Sequence, residues 1–223
     1  LVGANSDDTT RHLERAVFLA PLEMTLHFNS GMMMIANGER QTGMQWISKA
    51  ATAQKHMPAH VAAFAKAILT PSELIHSVLP ADPAFILDVI NRNFREDRYL
   101  NWRLVMGERC LELLPKEKDE GIAPEVLFQM ARSQQFTGQY RLACETYRAA
   151  IDREPGMASW RFAYAETLKE VGDYEDALRE ARFCERMMPD SWRVQLLVSN
   201  IQKAARNRTA RRTNSASIEI KQE

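Results

Sequence analysis

Residues 124–157 read PEVLFQMARSQQFTGQYRLACETYRAAIDREPGM, and residues 158–191 read ASWRFAYAETLKEVGDYEDALREARFCERMMPDS. Aligned end to end, the two segments repeat each other. Ala131, Gly138, Tyr140, Ala143, Ala150 and Pro155 recur as Ala165, Gly172, Tyr174, Ala177, Cys184 and Pro189, each offset by 34 residues. A fixed period of this length marks a repeated supersecondary unit. Each residue type has a physical reason at its position. Small residues such as Ala131 and Ala143 let two helices approach closely. Gly138 and Gly172 sit where a helix should end, and Gly tolerates the left-handed cap. Tyr140 and Tyr174 follow in the turn and can cover the next helix start. Pro155 and Pro189 close the second helix, because Pro cannot continue one. Between these markers the apolar residues fall at helical spacing: Leu127, Met130 and Ala131 with Gln134, then Ala143, Tyr147, Ala150 and Ile151. The unit is helix, turn, helix, turn.

This pattern resembles the tetratricopeptide repeat. The resemblance covers 124–157 and 158–191 well, and the second copy departs from it at Ala181, where a large residue of the second helix is usual. It implies an all-α fold: a tetratricopeptide-type helical-repeat solenoid of antiparallel helix pairs with a C-terminal capping helix. More divergent units extend N-terminally over 1–115. In Asp82–Pro115 a helix through Phe94 is followed by one over Arg98–Leu114, with Cys110 five residues before Pro115 and with Arg103 and Gly107 at unusual core positions. Thr9–Pro21 reads as the second helix of a truncated repeat. Leu22–Pro58 places Gly31 at the close-packing site and Gly38 at the turn, and its second helix is expected to be nearly one turn longer.

Residues 58–80 form an irregular joint, with a short helix over Ala59–Leu69 and another over Ser72–Leu79. Thr70 followed by Pro71 is a capping signal for the latter. Residues 116–123 are a charged linker, 124–206 the two well-formed repeats plus a capping helix over Trp192–Ala205, and 207–223 a disordered basic tail.

Composition bounds the function. The chain of 223 residues carries 29 Lys or Arg and 29 Asp or Glu, and this balance argues against a dedicated nucleic-acid binder. No apolar run approaches the ~20 residues of a membrane-spanning helix. Cys110, Cys144 and Cys184 lie in apolar helical stripes and read as buried free thiols. His56 and His60 are four apart, but Pro58 between them separates their faces, and His12, His27 and His76 are isolated. No phosphate loop, nucleophile elbow or His-Glu zinc motif appears, so no cofactor, metal or catalytic group is assigned. Met32, Met33 and Met34 point in three directions on a helix, which favours core over a binding surface. The basic terminus, which lacks interleaved aromatics, reads as solvated rather than as an arm for RNA or an anionic membrane.

The resemblance further implies a protein-interaction scaffold that holds a peptide or helix of a partner protein on the concave face lined by the first helices. The corresponding residues are Phe128, Arg132 and Gln135, then Phe162, Glu166 and Lys169, then Arg193, Leu196 and Asn200 on the cap. The alternative for Phe128 and Phe162 is packing between repeats. The Lys-Asn-Lys-Arg clamp of the family's chaperone-binding members is absent, as Phe128, Arg132, Phe162 and Glu166 occupy its first positions. A second expectation, motivated by the start at Leu1 and the half repeat, is the soluble repeat domain of a larger bacterial membrane-anchored enzyme or envelope assembly protein. A stand-alone enzyme is the third and least supported. Self-association is expected at the N-terminal end helix, through Leu13, Val17 and Phe18.

Overall fold

A computed structural model describes residues 6–53, 63, 66–116 and 121–219, with side chains described between 8 and 209 of these. All regular structure among the described residues is helical. Helices adjacent in sequence pack as pairs, and the chain divides into two compact units, Leu1–Leu113 and Leu114–Glu223.

In the first unit, α1 (Ser6–Leu19) packs on α2 (Met24–Ala36), which pairs with α3 (Arg40–Ala53). The α2–α3 contact is close. A Cβ built on Gly31 would stand 2.7 Å from the Gly43 carbonyl oxygen, and one on Gly43 would stand 2.5 Å from that of Gly31. The two backbones therefore come so close at this crossing that neither position has room for a side chain. Met34 is fully buried, Met32 half-buried and Met33 exposed, so the methionine run does point three ways. Residues 54–58, where an extra turn was expected, lie outside the described residues, as do His56, His60 and most of the expected helix over Ala59–Leu69.

The second part of the joint is clear. Thr70 caps a one-turn helix, α4 (Pro71–Glu73), which runs into a π-helical turn, Leu74–Val78. Its capping box is complete: Glu73 N–H donates to Thr70 Oγ1 at 3.2 Å and Thr70 N–H donates to Glu73 Oε2 at 2.8 Å. Arg40, at the start of α3, binds the same carboxylate at 2.5 and 2.7 Å and donates to the Ile68 carbonyl at 2.8 Å. These donors hold the Glu73 carboxyl down at about 2, the Arg40 hydrogen bond contributing most.

Next come α5 (Pro83–Asn93), a 3₁₀ turn (Asp97–Tyr99) and α6 (Leu100–Leu113). Arg103, unusual as a core residue, has a structural use. Its guanidinium donates to the carbonyls of Phe94, Arg95 and Glu96 at 3.1, 2.6 and 3.0 Å, satisfying acceptors beyond the end of α5.

In the second unit, α7 (Pro124–Phe136) pairs with α8 (Tyr140–Arg153), and α9 (Ala158–Val171) with α10 (Tyr174–Met187). One continuous core runs through all four, from Leu127 and Ala131 by way of Tyr147, Trp160 and Ala165 to Ala181 and Ile201. Gly138 and Gly172 have φ of 77° and 83°. At each, the Gly N–H donates to the carbonyl three residues back and the following N–H to the carbonyl five back, the Schellman arrangement. Gly38, with φ 96°, makes the same two bonds in the first unit.

The last helix, α11 (Trp192–Glu219), corrects the expected boundary at Ala205 and the expected disorder from 207. No Gly or Pro occurs between Asp190 and Glu219 to stop it. Past the expected end, Arg208 Nη1 donates to the Gly172 carbonyl at 2.5 Å, and its guanidinium lies 5.7 Å from the Tyr174 ring centroid. Residues 220–223 lie outside the described part.

Candidate functional site

The first helices of the second unit, α7 and α9, and the start of α11 carry all eight expected site residues and Leu196. Each helix begins by a local signal: Pro124 at the first position of α7, the Pro155 break before α9 and the Pro189 break before α11. Register then follows from the 34-residue period. Phe128, Phe162 and Leu196 fall at equivalent positions, as do Arg132, Glu166 and Asn200.

The aromatic members are partly absorbed into packing. Phe128 is half-buried and stacks on Trp160, with ring centroids 5.1 Å apart and planes at 11°. It also lies 5.8 Å from Tyr147. Phe162 is half-buried too, and the Arg193 guanidinium sits over its ring at 5.7 Å. Leu196 is 50% exposed.

The polar members form a connected network. Arg132 Nη1 donates to Gln135 Oε1 at 2.7 Å and reaches Glu166 Oε2 at 3.5 Å. Gln135 Oε1 also accepts the buried Tyr147 hydroxyl at 2.9 Å. Burial raises the Tyr147 hydroxyl well above its ordinary range, so it stays a donor at any physiological pH. Arg132 further lies 4.7 Å from the Phe136 ring centroid. Lys169 pairs with the neighbouring Glu170 at 2.8 Å, and Asn200 is exposed. The structure thus brings Arg132, Gln135 and Glu166 together with Tyr147, and separately Phe162 with Arg193.

No family model matches the chain. No curated protein matches it either. The site therefore rests on its own geometry.

Two inter-helix links were not read from the sequence. Arg161 donates to Glu180 at 2.6 Å and to the Pro155 carbonyl at 2.9 Å while its guanidinium lies 4.3 Å from the Phe183 ring centroid. Arg148 donates to the Tyr164 hydroxyl at 3.3 Å. Both tie a second helix to a first, and Arg161, Glu180 and Tyr164 have Leu127, Thr146 and Met130 one period earlier, which is why the repeat gave no signal for them.

The remaining chemistry-bearing residues are dispersed. Among the described residues no group of three His, Cys, Asp or Glu converges to hold a metal. His12 and His76 are exposed; His27 is buried, its Nδ1 3.0 Å from the Glu23 carbonyl and its Nε2 without a partner. The cysteines are free, with burial pushing the Cys144 and Cys184 thiols up to about 11. No described helix is long and apolar enough to cross a membrane. At the N-terminal end, Leu13 and Val17 are half-buried and Phe18 is 81% exposed, continuing into exposed Leu19 and Leu22.

Proposed function

We propose that residues 124–206 act as a tetratricopeptide-type scaffold that binds a peptide or helix of a partner protein along the face formed by α7, α9 and the start of α11. The observation that carries this reading is the Arg132–Glu166 pair. These two residues occupy equivalent positions one period apart and sit within 3.5 Å of each other. Equivalent faces of successive first helices are therefore neighbours, and they form one continuous surface rather than two isolated ones. That surface alternates half-buried aromatic rings (Phe128, Phe162), aliphatic carbon (Leu196) and polar groups (Lys169, Arg193, Asn200). Such a mixture suits an amphipathic segment, whose apolar residues meet the column Phe128, Phe162, Leu196 and whose polar residues meet the flanking side chains.

The test is selection of peptides from a random displayed library against the full chain. Selected peptides should lose about tenfold or more in affinity for Lys169→Glu and for Asn200→Arg, a loss of about 1.4 kcal/mol. Both side chains reach the surface without supporting the core, so helicity should stay unchanged. Peptides that bind both variants as tightly as the parent protein would place the site elsewhere.

A further inference from the structure

Helix α11 has a charge asymmetry that the chain as a whole lacks. The protein balances 29 basic against 29 acidic residues, yet α11 contains six Lys or Arg and meets its first acid only at Glu219. Of the four whose side chains are described, two have internal contacts: Arg193 lies over Phe162 and Arg208 binds the Gly172 carbonyl. Lys203 and Arg206 are exposed.

The buried positions fix which way the helix faces. Val194, Leu197 and Ile201 are buried against the repeats. At 3.6 residues per turn, the opposite line along the helix runs through Trp192, Leu196, Ser199, Lys203 and Arg206. All five are exposed, Trp192 by 68%. One line of the helix therefore presents an indole and a leucine at one end and two cations at the other. The end of a repeat array ordinarily has a polar outer face; here that face begins with the most apolar pair on the helix surface.

We propose that this outward line of α11 docks the protein on an anionic lipid surface. Trp192 and Leu196 enter the headgroup boundary, where an indole is well placed, and Lys203 and Arg206 meet lipid phosphates. An outward-facing line of mixed indole, leucine and cations matches a surface that has both apolar carbon and phosphates. Single-stranded RNA is the less suitable anion, because the line offers one aromatic at its end and no succession of rings for stacking bases. The attachment is weak and reversible, since two side chains of each kind supply it, and it is sensitive to salt. It does not depend on the peptide-binding reading, which uses the adjoining flank of the helix at Arg193 and Asn200 and shares only Leu196 with this line.

The full chain should be sedimented with vesicles of phosphatidylcholine, with and without one-third phosphatidylglycerol, at low and high salt. Binding is expected to the anionic vesicles alone and should be lost at high salt. Lys203→Glu with Arg206→Glu should weaken it by about tenfold or more. Bromine-labelled lipid should quench part of the tryptophan emission, and Trp192→Phe should remove that quenching. Binding to pure phosphatidylcholine of equal strength, or no vesicle binding at low salt, would overturn the proposal. So would capture of a uridine oligomer without capture of vesicles. The salt arm needs no mutation, so the result stands even if a variant misfolds.

Discussion

The hairpin α2–α3 and the hairpin α7–α8 are built to one plan with different tolerances. Gly31, Gly38 and Gly43 of the first stand where Ala131, Gly138 and Ala143 stand in the second, a uniform offset of 100 residues. Both hairpins turn on a left-handed glycine with the same two Schellman bonds. They differ at the crossing. In α7–α8, and again in α9–α10, a pair of alanines separates the helices, and these alanines are fully buried. In α2–α3 the methyl groups are gone and the backbones meet. The turn thus recurs within the molecule, while the residues at the crossing differ by a single carbon on each side. Removing it exchanges side-chain packing for backbone proximity, at the entropic cost glycine carries within a helix.

The largest expected break of this comparison is Gly43→Ala. Its Cβ would lie 2.5 Å from the Gly31 carbonyl oxygen and 2.7 Å from Ile35 Cγ1, and backbone cannot yield as a side-chain tip can. We expect a loss of about 3 kcal/mol, read as faster amide exchange across α2 and α3. The mirror change, Ala143→Gly, should cost only about 1 kcal/mol, read in α7 and α8. Equal effects would mean that the two crossings do not differ as described.

Next in size is Glu180→Ala. It strips the partner from Arg161 in a contact whose side chains are 16% and 10% exposed. The Pro155 carbonyl and the Phe183 ring remain for Arg161, so we expect a loss of about 2 kcal/mol, measured by urea denaturation followed through α9 and α10.

Smaller still are Gly38→Ala, Gly138→Ala and Gly172→Ala. All three place a Cβ in the left-handed region, at about 1–2 kcal/mol each. Gly172→Ala should be the worst of them, because its Cβ would also come to 3.1 Å from Arg208 Nη1. Thermal denaturation of the three variants side by side checks the order.

The smallest effect separates the units by pH. Glu73 is held low, at about 2, by Arg40 and the Thr70 cap. A depressed carboxyl stabilises the fold above its unfolded range near 4.5 and loses that contribution as pH falls toward 2. Amide exchange in the first unit should therefore quicken over that interval, and Glu73→Gln should flatten the response. The α7–α8 hairpin has no counterpart of this contact and should not share it.

Much of this was legible where punctuation is strong. The Gly, Ala and Pro positions in 124–191 mark helix ends and crossings directly, because few residues tolerate those conformations or that proximity. Gly43 was missed although its signal was present: it follows Gly31 by 12 residues, as Ala143 follows Ala131 and Ala177 follows Ala165. Arg103 looked like a misplaced core residue because a one-dimensional pattern does not show which carbonyls a long side chain can reach. The length of α11 was underread because polar composition was taken as disorder, while what decides is the lack of any breaker and the anchorage of Arg208 on Gly172. At the candidate site, position was legible and exposure was not. The period put Phe128 on the first-helix face, but its half-burial depends on Trp160, a residue of the next repeat with no aromatic at the equivalent position in the first.

On the proposed reading, equivalent faces of α7, α9 and α11 make one binding surface. Hydrogen exchange of the full chain with a peptide selected from the displayed library tests it most directly. Slowed exchange is expected in α7, α9 and the first half of α11, with α8 and α10 unchanged. Protection confined to α8 and α10, or to the first unit, would contradict it.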